Sequence, residues 1–279
     1  MYKIYAFADE ADQNFDGQIR AMKRNGLTGL EIRNSEYGNV SDLSETDAKL
    51  IKAKLDDAGL VVGSLGSPIG KIDIMNDDFT KHLDQYKHTL EIAKILGANR
   101  IRLFSFYIPK DRSADEFKNE VIDRMGKFAE IAEGSGILLC HENEKGIYGD
   151  IAPRCLDVLK AIPSIKAVFD PANFIQCGQE TLSAWQMLSP YVEYLHIKDA
   201  LSDGSVVPAG KGEGNLEKII SDYISNGGTD FTVEPHLTVF SGLSSLEREG
   251  EKSNVGKYVF DSSDSAFDAA CDALNSILH

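Results

Sequence analysis

The run Phe231-Thr232-Val233-Glu234-Pro235-His236 decides how the chain is read: aromatic and β-branched residues favour a pleated strand, and the run ends on a carboxylate. Three earlier runs end on a comparable group. They are Ile137-Leu138-Leu139-Cys140-His141-Glu142-Asn143, Ala167-Val168-Phe169-Asp170-Pro171 and Tyr194-Leu195-His196-Ile197-Lys198-Asp199. Each sets a metal-ligating type of side chain where apolar strand gives way to loop. If the four strand ends converge in space, Glu142, Asp170, His196 and Glu234 line one pocket.

Outward from these runs, one unit recurs: an amphipathic helical pattern, a glycine suited to a left-handed helix end, then a short apolar run. The spacing predicts further strands at residues 4–8, 27–33, 60–65 and 101–106. Ser44-Glu45-Thr46-Asp47 resembles a capping box with Asp in place of Glu, and Ser113-Ala114-Asp115-Glu116 is a complete one, so both open helices. Phe79, Leu83, Tyr86, Leu90, Ala93 and Leu96 form one helical face that stops at Gly97, and shorter patterns cover 153–161, 182–188 and 216–224. Phe267, Ala270, Leu274 and Ile277 mark the last helix.

Eight strands alternating with eight helices, at a repeat of roughly thirty-five residues, predict an α/β fold: a (β/α)₈ TIM barrel in a single domain over residues 1–279. A doubly wound sheet is the rival, but it usually carries a glycine-rich phosphate fingerprint after its first strand, where this chain has Asp9-Glu10-Ala11-Asp12. Two stretches fall outside the repeat. Residues 236–262 form a long polar loop after strand eight and residues 67–77 an excursion after strand three, and each reads as a lid or a subunit contact.

Composition narrows the function. The chain has 42% hydrophobic and 26% charged residues, which is ordinary for a folded soluble protein. A formal charge of −15 disfavours nucleic acid, because affinity for a phosphate backbone rests on Lys and Arg replacing counterions. No apolar run has the length of a membrane span and the N-terminus lacks a signal pattern, so the expectation is a cytoplasmic protein without membrane contact. Cys140, Cys155, Cys177 and Cys271 lack CxxC spacing, which argues against a thiolate zinc site and a disulfide framework.

In a barrel the C-terminal strand ends share one mouth, so the four candidate ligands would meet there. Three carboxylates and one imidazole suit one divalent metal ion, Mn²⁺, Co²⁺, Zn²⁺ or Mg²⁺. Lys198 could steady a substrate oxygen, and Arg102, His236 and Asn173 are further substrate-binding candidates. The loop Pro208-Ala209-Gly210-Lys211-Gly212-Glu213-Gly214 is rich in amides and could cradle a phosphate. Phe104, Phe106 and Tyr107 could wall a sugar pocket or lie in the core, and Asp199 could orient Lys198 or cap a turn.

His141-Glu142-Asn143, Asp170-Pro171-Ala172-Asn173, His196-Ile197-Lys198-Asp199 and Glu234-Pro235-His236 together make the chain resemble the xylose-isomerase-like TIM-barrel superfamily of sugar phosphate isomerases and epimerases. Gly29-Leu30-Glu31 also resembles the end of strand two in that group. The resemblance implies that Glu142, Asp170, His196 and Glu234 bind the metal, while Glu142 and Glu234 face opposite sides of a ketose and shuttle a proton. Ketose epimerases of the group tend to carry a histidine three residues after the strand-six aspartate, where this chain has Asn173. Only six histidines are present and no Asp-x-His follows His196, which argues against a three-metal endonuclease.

The reading that results is a metal-dependent isomerase or epimerase of a small carbohydrate, sugar phosphate or polyol. Its alternatives are an inosose-type dehydratase and a carbohydrate-binding barrel without turnover. A homo-oligomer is compatible with the sequence.

Overall fold

The computed structural model describes residues 2–240, 243, 254–255 and 257–279. The barrel strands are Lys3–Ala6 (β1), Gly29–Ile32 (β2), Val61–Gly66 (β3), Arg100–Leu103 (β4), Leu138–Glu142 (β5), Lys166–Phe169 (β6), Val192–Ile197 (β7) and Asp230–Val233 (β8). Each pairs in parallel with its sequence neighbours, and β8 closes on β1 with Ile4 opposite Phe231. The result is the expected (β/α)₈ barrel, with helices in the connections between strands.

Local chemistry accounts for the helix ends. Ser44 Oγ accepts from the Asp47 amide at 3.1 Å, but the Asp47 carboxylate takes the Ser44 hydroxyl, so only half of a capping box forms before helix Glu45–Ala58. The Ser113–Glu116 box is complete and caps a 3-10 turn, Ala114–Phe117, that runs into helix Lys118–Ala132. Gly59 and Gly97 close their helices in the left-handed conformation, which costs a glycine no steric penalty.

The first and fourth strands stop two or three residues before their apolar runs do, and both differences shape the barrel mouth. The first strand stops at Ala6, and Ala8–Glu10 form a 3-10 turn that carries Asp9 and Glu10. The fourth stops at Leu103, because Tyr107 leaves the barrel to bridge the loops after β3 and β5 at Asp73 and Ile147. Backbone bonds from Phe104 to Ile69, Phe106 to Gly70 and Tyr107 to Ile72 continue that join, so the 67–77 excursion is a fixed rim. Gly70 at φ +88° makes the rim possible, since a Cβ there would lie 1.9 Å from the Phe104 carbonyl oxygen. Phe106 packs on Phe79 and Phe128 in the core, whereas Phe104 lies under Lys71 and Arg102 at the mouth.

Hydrophobic side chains fill the space between strands and helices in one continuous core. The barrel interior is more polar. At its lower end Arg100 bonds Asp230 at 2.6 Å, and above it Cys140, Val168 and Tyr194 pack together. Inward positions recur every second residue on each strand, so Glu31 and Arg33, Tyr194 and His196, and Thr232 and Glu234 stack toward the mouth. For the 236–262 loop, Phe240 turns back onto His236 and Arg33, and Asn254 bonds Ser205. The expectation of a lid rests mainly on residues 241–253, which lie outside the described residues apart from Leu243.

Candidate metal centre

The four candidate ligands at the strand ends meet. Glu142, Asp170, His196 and Glu234 are all buried and offer ligand atoms within 4.8 Å of one another. His196 Nδ1 lies 3.1 Å from Glu142 Oε1, 3.4 Å from Glu234 Oε2 and 3.8 Å from Asp170 Oδ2. Strand parity explains the convergence, since His196 is inward on β7 and Glu142 ends β5, while Asp170 and Glu234 each follow the last residue of their strand.

Each ligand is held from behind. Asp170 is the N-cap of a short helix, Pro171–Gln176, and its Oδ1 accepts from the Asn173 amide at 2.9 Å. One oxygen therefore caps the helix while the other faces the cluster, so capping leaves an oxygen available to a metal ion. Asn143 ties the same loop to β5 through bonds to both the Asp170 amide and its carbonyl. Asn173 donates to Glu142 Oε1 at 3.2 Å and to the Asn143 carbonyl at 2.9 Å, so both its amide hydrogens serve the protein. Its place is behind Glu142, where a ketose epimerase would carry histidine.

Cations surround the carboxylates. Lys198 Nζ lies 2.8 Å from Asp170 Oδ2 and 3.0 Å from Glu234 Oε2, and Arg102 Nη1 lies 3.1 Å from Glu142 Oε2. Neither Asp170 Oδ2 nor Glu142 Oε2 accepts a hydrogen bond of proper geometry, despite those short approaches. Two buried carboxylate oxygens with lone pairs to spare, beside an imidazole nitrogen and a third carboxylate, fit a divalent ion well.

Several residues at the mouth escaped the sequence reading. Arg33 bonds Asp9 through two nitrogens, at 2.9 and 3.2 Å, and reaches Glu10 at 3.1 Å and Glu234 Oε1 at 3.3 Å. Its guanidinium stacks on Phe7 at 4.4 Å. Glu10 in turn accepts from the His236 amide at 2.7 Å and sits 3.0 Å from His236 Nδ1, which holds His236 at φ +44°. Glu10, Glu234 and His236 form a second acidic group, already neutralised by the Arg33 guanidinium among them.

The amide-rich loop has another task. Gly210, Gly212 and Gly214 donate to the Asp199 carboxylate at 2.9, 3.0 and 2.8 Å, so these amides hold an internal carboxylate and the phosphate cradle expected of this loop is filled. Asp199 thus closes a turn.

Burial raises every carboxyl pKa here, and the neighbours decide the outcome. For Glu142, His196 and then Arg102 outweigh burial and hold the carboxyl down at about 2. For Glu234, Lys198 and His236 outweigh it and hold the group well below the usual range. At Asp170 burial prevails over Lys198 and the pKa is raised.

Burial alone would lower the His196 pKa, but Glu142 and then Glu31 outweigh it and keep the imidazole protonated well above its ordinary range. A metal ion needs a nitrogen lone pair, so an ion bound at His196 would displace that proton. Divalent-metal affinity is therefore expected to fall by about tenfold per pH unit below the metal-free His196 pKa, with a proton released per ion. Calorimetry in buffers of different ionisation enthalpy reads both quantities. Affinity that stays level between about pH 6 and pH 8 would contradict this prediction.

Comparison with known proteins agrees with this architecture. A family model described as xylose isomerase-like TIM barrel matches residues 19–236. Among curated proteins, a 3-dehydroshikimate dehydratase of Bacillus anthracis is 19% identical over 196 residues, 68% of this chain and 68% of that protein. Among solved structures, the IOLI protein with a bound zinc atom superposes with a TM-score of 0.76 at 17% identity, covering 100% of this chain and 98% of its own. The 3-keto-D-glucoside 4-epimerase YcjR of E. coli gives a TM-score of 0.71 at 15% identity, covering 100% and 99%. With the family match spanning most of a closed parallel barrel, the chain belongs to the xylose isomerase-like TIM barrel family.

Proposed function

We propose that the chain is a divalent-metal-dependent isomerase or epimerase that moves a proton at a carbon next to a carbonyl in a small carbohydrate or polyol. The observation that carries this reading is the convergence of Glu142, Asp170, His196 and Glu234, with the Glu142 and Glu234 carboxylates 3.1 and 3.4 Å from His196 Nδ1 and both held in the ionised form by neighbouring cations. Those four residues would hold the ion. When bound, a divalent ion supplies Lewis acidity that stabilises the negative charge developing on a carbonyl oxygen during proton removal.

The protein's own groups supply the rest. Glu142 ends β5 and Glu234 follows β8, with Asp170 and His196 between them in barrel order, so two ionised bases bracket the site. Either can accept a proton from a substrate carbon, and a return from the other side inverts that carbon. Arg33 fixes Glu234 and Asn173 fixes Glu142, which keeps both carboxylates in one orientation. Arg102, Lys198 and His236 border the carboxylates and would meet a substrate hydroxyl or carbonyl there.

One observation favours a second reading. The Lys198 ammonium lies 3.0 Å from Glu234 Oε2, which sets a proton donor beside a base. Loss of water next to a carbonyl needs that pair, with Glu234 removing the proton and Lys198 protonating the departing hydroxyl. The dehydratase relative is in keeping with this version.

Incubation of the metal-loaded protein in deuterium oxide with a panel of ketoses, keto-polyols and 3-dehydroshikimate tests both. Deuterium in an isomeric product supports the isomerase or epimerase, and loss of water supports the dehydratase. Ligand binding with neither outcome would leave a carbohydrate-binding barrel.

A further inference from the structure

His196 has two nitrogens, and only Nδ1 faces the ligand cluster. Nε2 lies 3.2 Å from Glu31 Oε2 on the opposite edge of the ring. Glu31 is fully buried on β2, and its other oxygen accepts the Tyr194 hydroxyl at 3.0 Å. Tyr194 lies on β7 two residues before His196, and its hydroxyl also approaches Ser64 Oγ on β3 at 3.3 Å. Three strands thus contribute to one buried chain of hydrogen bonds that ends on the imidazole. Glu31 cannot join the ligands itself, because the imidazole ring stands between it and the carboxylate cluster.

The ring has little freedom to turn. Phe7 meets it edge-on at 5.3 Å and Tyr194 packs against it at 5.6 Å. Rotation about the Cβ–Cγ bond would remove Nδ1 from Glu142 and leave Glu31 Oε2 without the imidazole, while Oε1 keeps the Tyr194 hydroxyl. A buried carboxylate oxygen that loses its donor is costly, so the arrangement defends one ring orientation.

We propose that Glu31 and Tyr194 are positioning residues for the metal centre: by accepting the Nε2 proton, Glu31 fixes His196 in the tautomer that offers its Nδ1 lone pair to the ion, and Tyr194 fixes Glu31. The proposal rests on the metal-binding reading above. Its physical basis is general, since a carboxylate behind a ligating histidine orients the ring and makes its metal-binding nitrogen more basic. What the structure adds is the identity of the carboxylate, the nitrogen assigned to each role and the phenol that holds the carboxylate in turn. Among the described residues, Glu31 is the carboxylate that sits close enough to Nε2 to serve.

Zinc affinity, measured by competition with a chromophoric chelator, separates this role from a purely structural one. Glu31→Gln retains shape and an acceptor for Tyr194 but loses the charge, and zinc affinity is expected to fall by about 10- to 100-fold. Tyr194→Phe weakens zinc binding by a smaller factor. In the double variant the Tyr194→Phe change has no further effect, because its contribution passes through Glu31. NMR of isotopically labelled histidine in the zinc-loaded wild type shows His196 protonated on Nε2.

Folded variants with wild-type zinc affinity would overturn the relay, as would a spectrum with zinc on Nε2. If Glu31→Gln fails to fold, the Tyr194→Phe affinity and the wild-type tautomer decide the matter by themselves. Failure of the wild type to take zinc, manganese, cobalt or magnesium is a different result, which overturns the metal-binding reading and the relay with it.

Discussion

Replacing Glu234 with Gln is expected to lower metal-dependent exchange of a substrate's carbon-bound hydrogen with solvent by about 10²- to 10⁴-fold. The amide has nearly the volume of the carboxylate, so packing against Arg33 and His236 is largely kept, while the base is lost. The result separates roles that share one residue. If Glu234 served only to hold the ion, enough added metal would restore the rate. If it is the base, the deficit persists at saturating metal, and metal titration with exchange followed by NMR distinguishes the two. Glu142→Gln gives the companion measurement. A variant that keeps exchange at one carbon and loses inversion would identify Glu142 as the group that returns the proton, whereas equal loss in both would place both carboxylates in the first step. Full activity in Glu234→Gln at saturating metal would remove proton transfer by Glu234 from the mechanism.

The four candidate ligands are legible in the sequence because each lies at the end of an apolar run of its own, and barrel topology does the rest: eight strands that end at one mouth bring residues 142, 170, 196 and 234 together. Arg33 and Glu10 are a different case. Their meaning arises from contacts with Glu234 and His236, 201 and 226 positions away, and nothing near them in sequence distinguishes Arg33 from a charged residue at a strand end. The turn at Asp9-Glu10 reads in sequence only as the absence of a glycine fingerprint.

The glycine loop shows the opposite failure. Its donors are visible in the sequence but its acceptor is not, because a run of amides serves a phosphate or an internal carboxylate equally well. Asp199, 11 to 15 residues earlier, fills that place. Strand four overruns for a third reason. Phe104 and Phe106 favour strand, yet the rim requires the chain to leave the barrel after Leu103, and tertiary hydrogen bonds prevail over propensity. Glu31 is visible at the end of its strand, but its role depends on which histidine nitrogen faces it, which is a matter of three dimensions.

Replacing Lys198 with Met is expected to destabilise the metal-free protein by about 3–5 kcal/mol, the usual cost of removing one partner from a buried ion pair. The Lys198 side chain is 7% exposed and its ammonium contacts both Asp170 and Glu234, so its loss leaves buried carboxylates with fewer counter-charges. The same argument predicts that a divalent ion compensates. In the wild type a bound ion would compete for Asp170 and Glu234 with an ammonium group that those carboxylates hold charged, its pKa raised well above the ordinary lysine value against the effect of burial. Without the ammonium, the ion meets the same carboxylates with less competition, and a ligand that binds only the folded state stabilises it in proportion to the logarithm of its relative concentration. The stability gained on adding saturating manganese should therefore be larger in Lys198→Met than in the wild type, and urea denaturation with chelator and then with manganese measures it. An equal loss of stability under both conditions would mean that Lys198 and the ion do not compete for these carboxylates, and that the lysine serves the fold whether or not the metal is present.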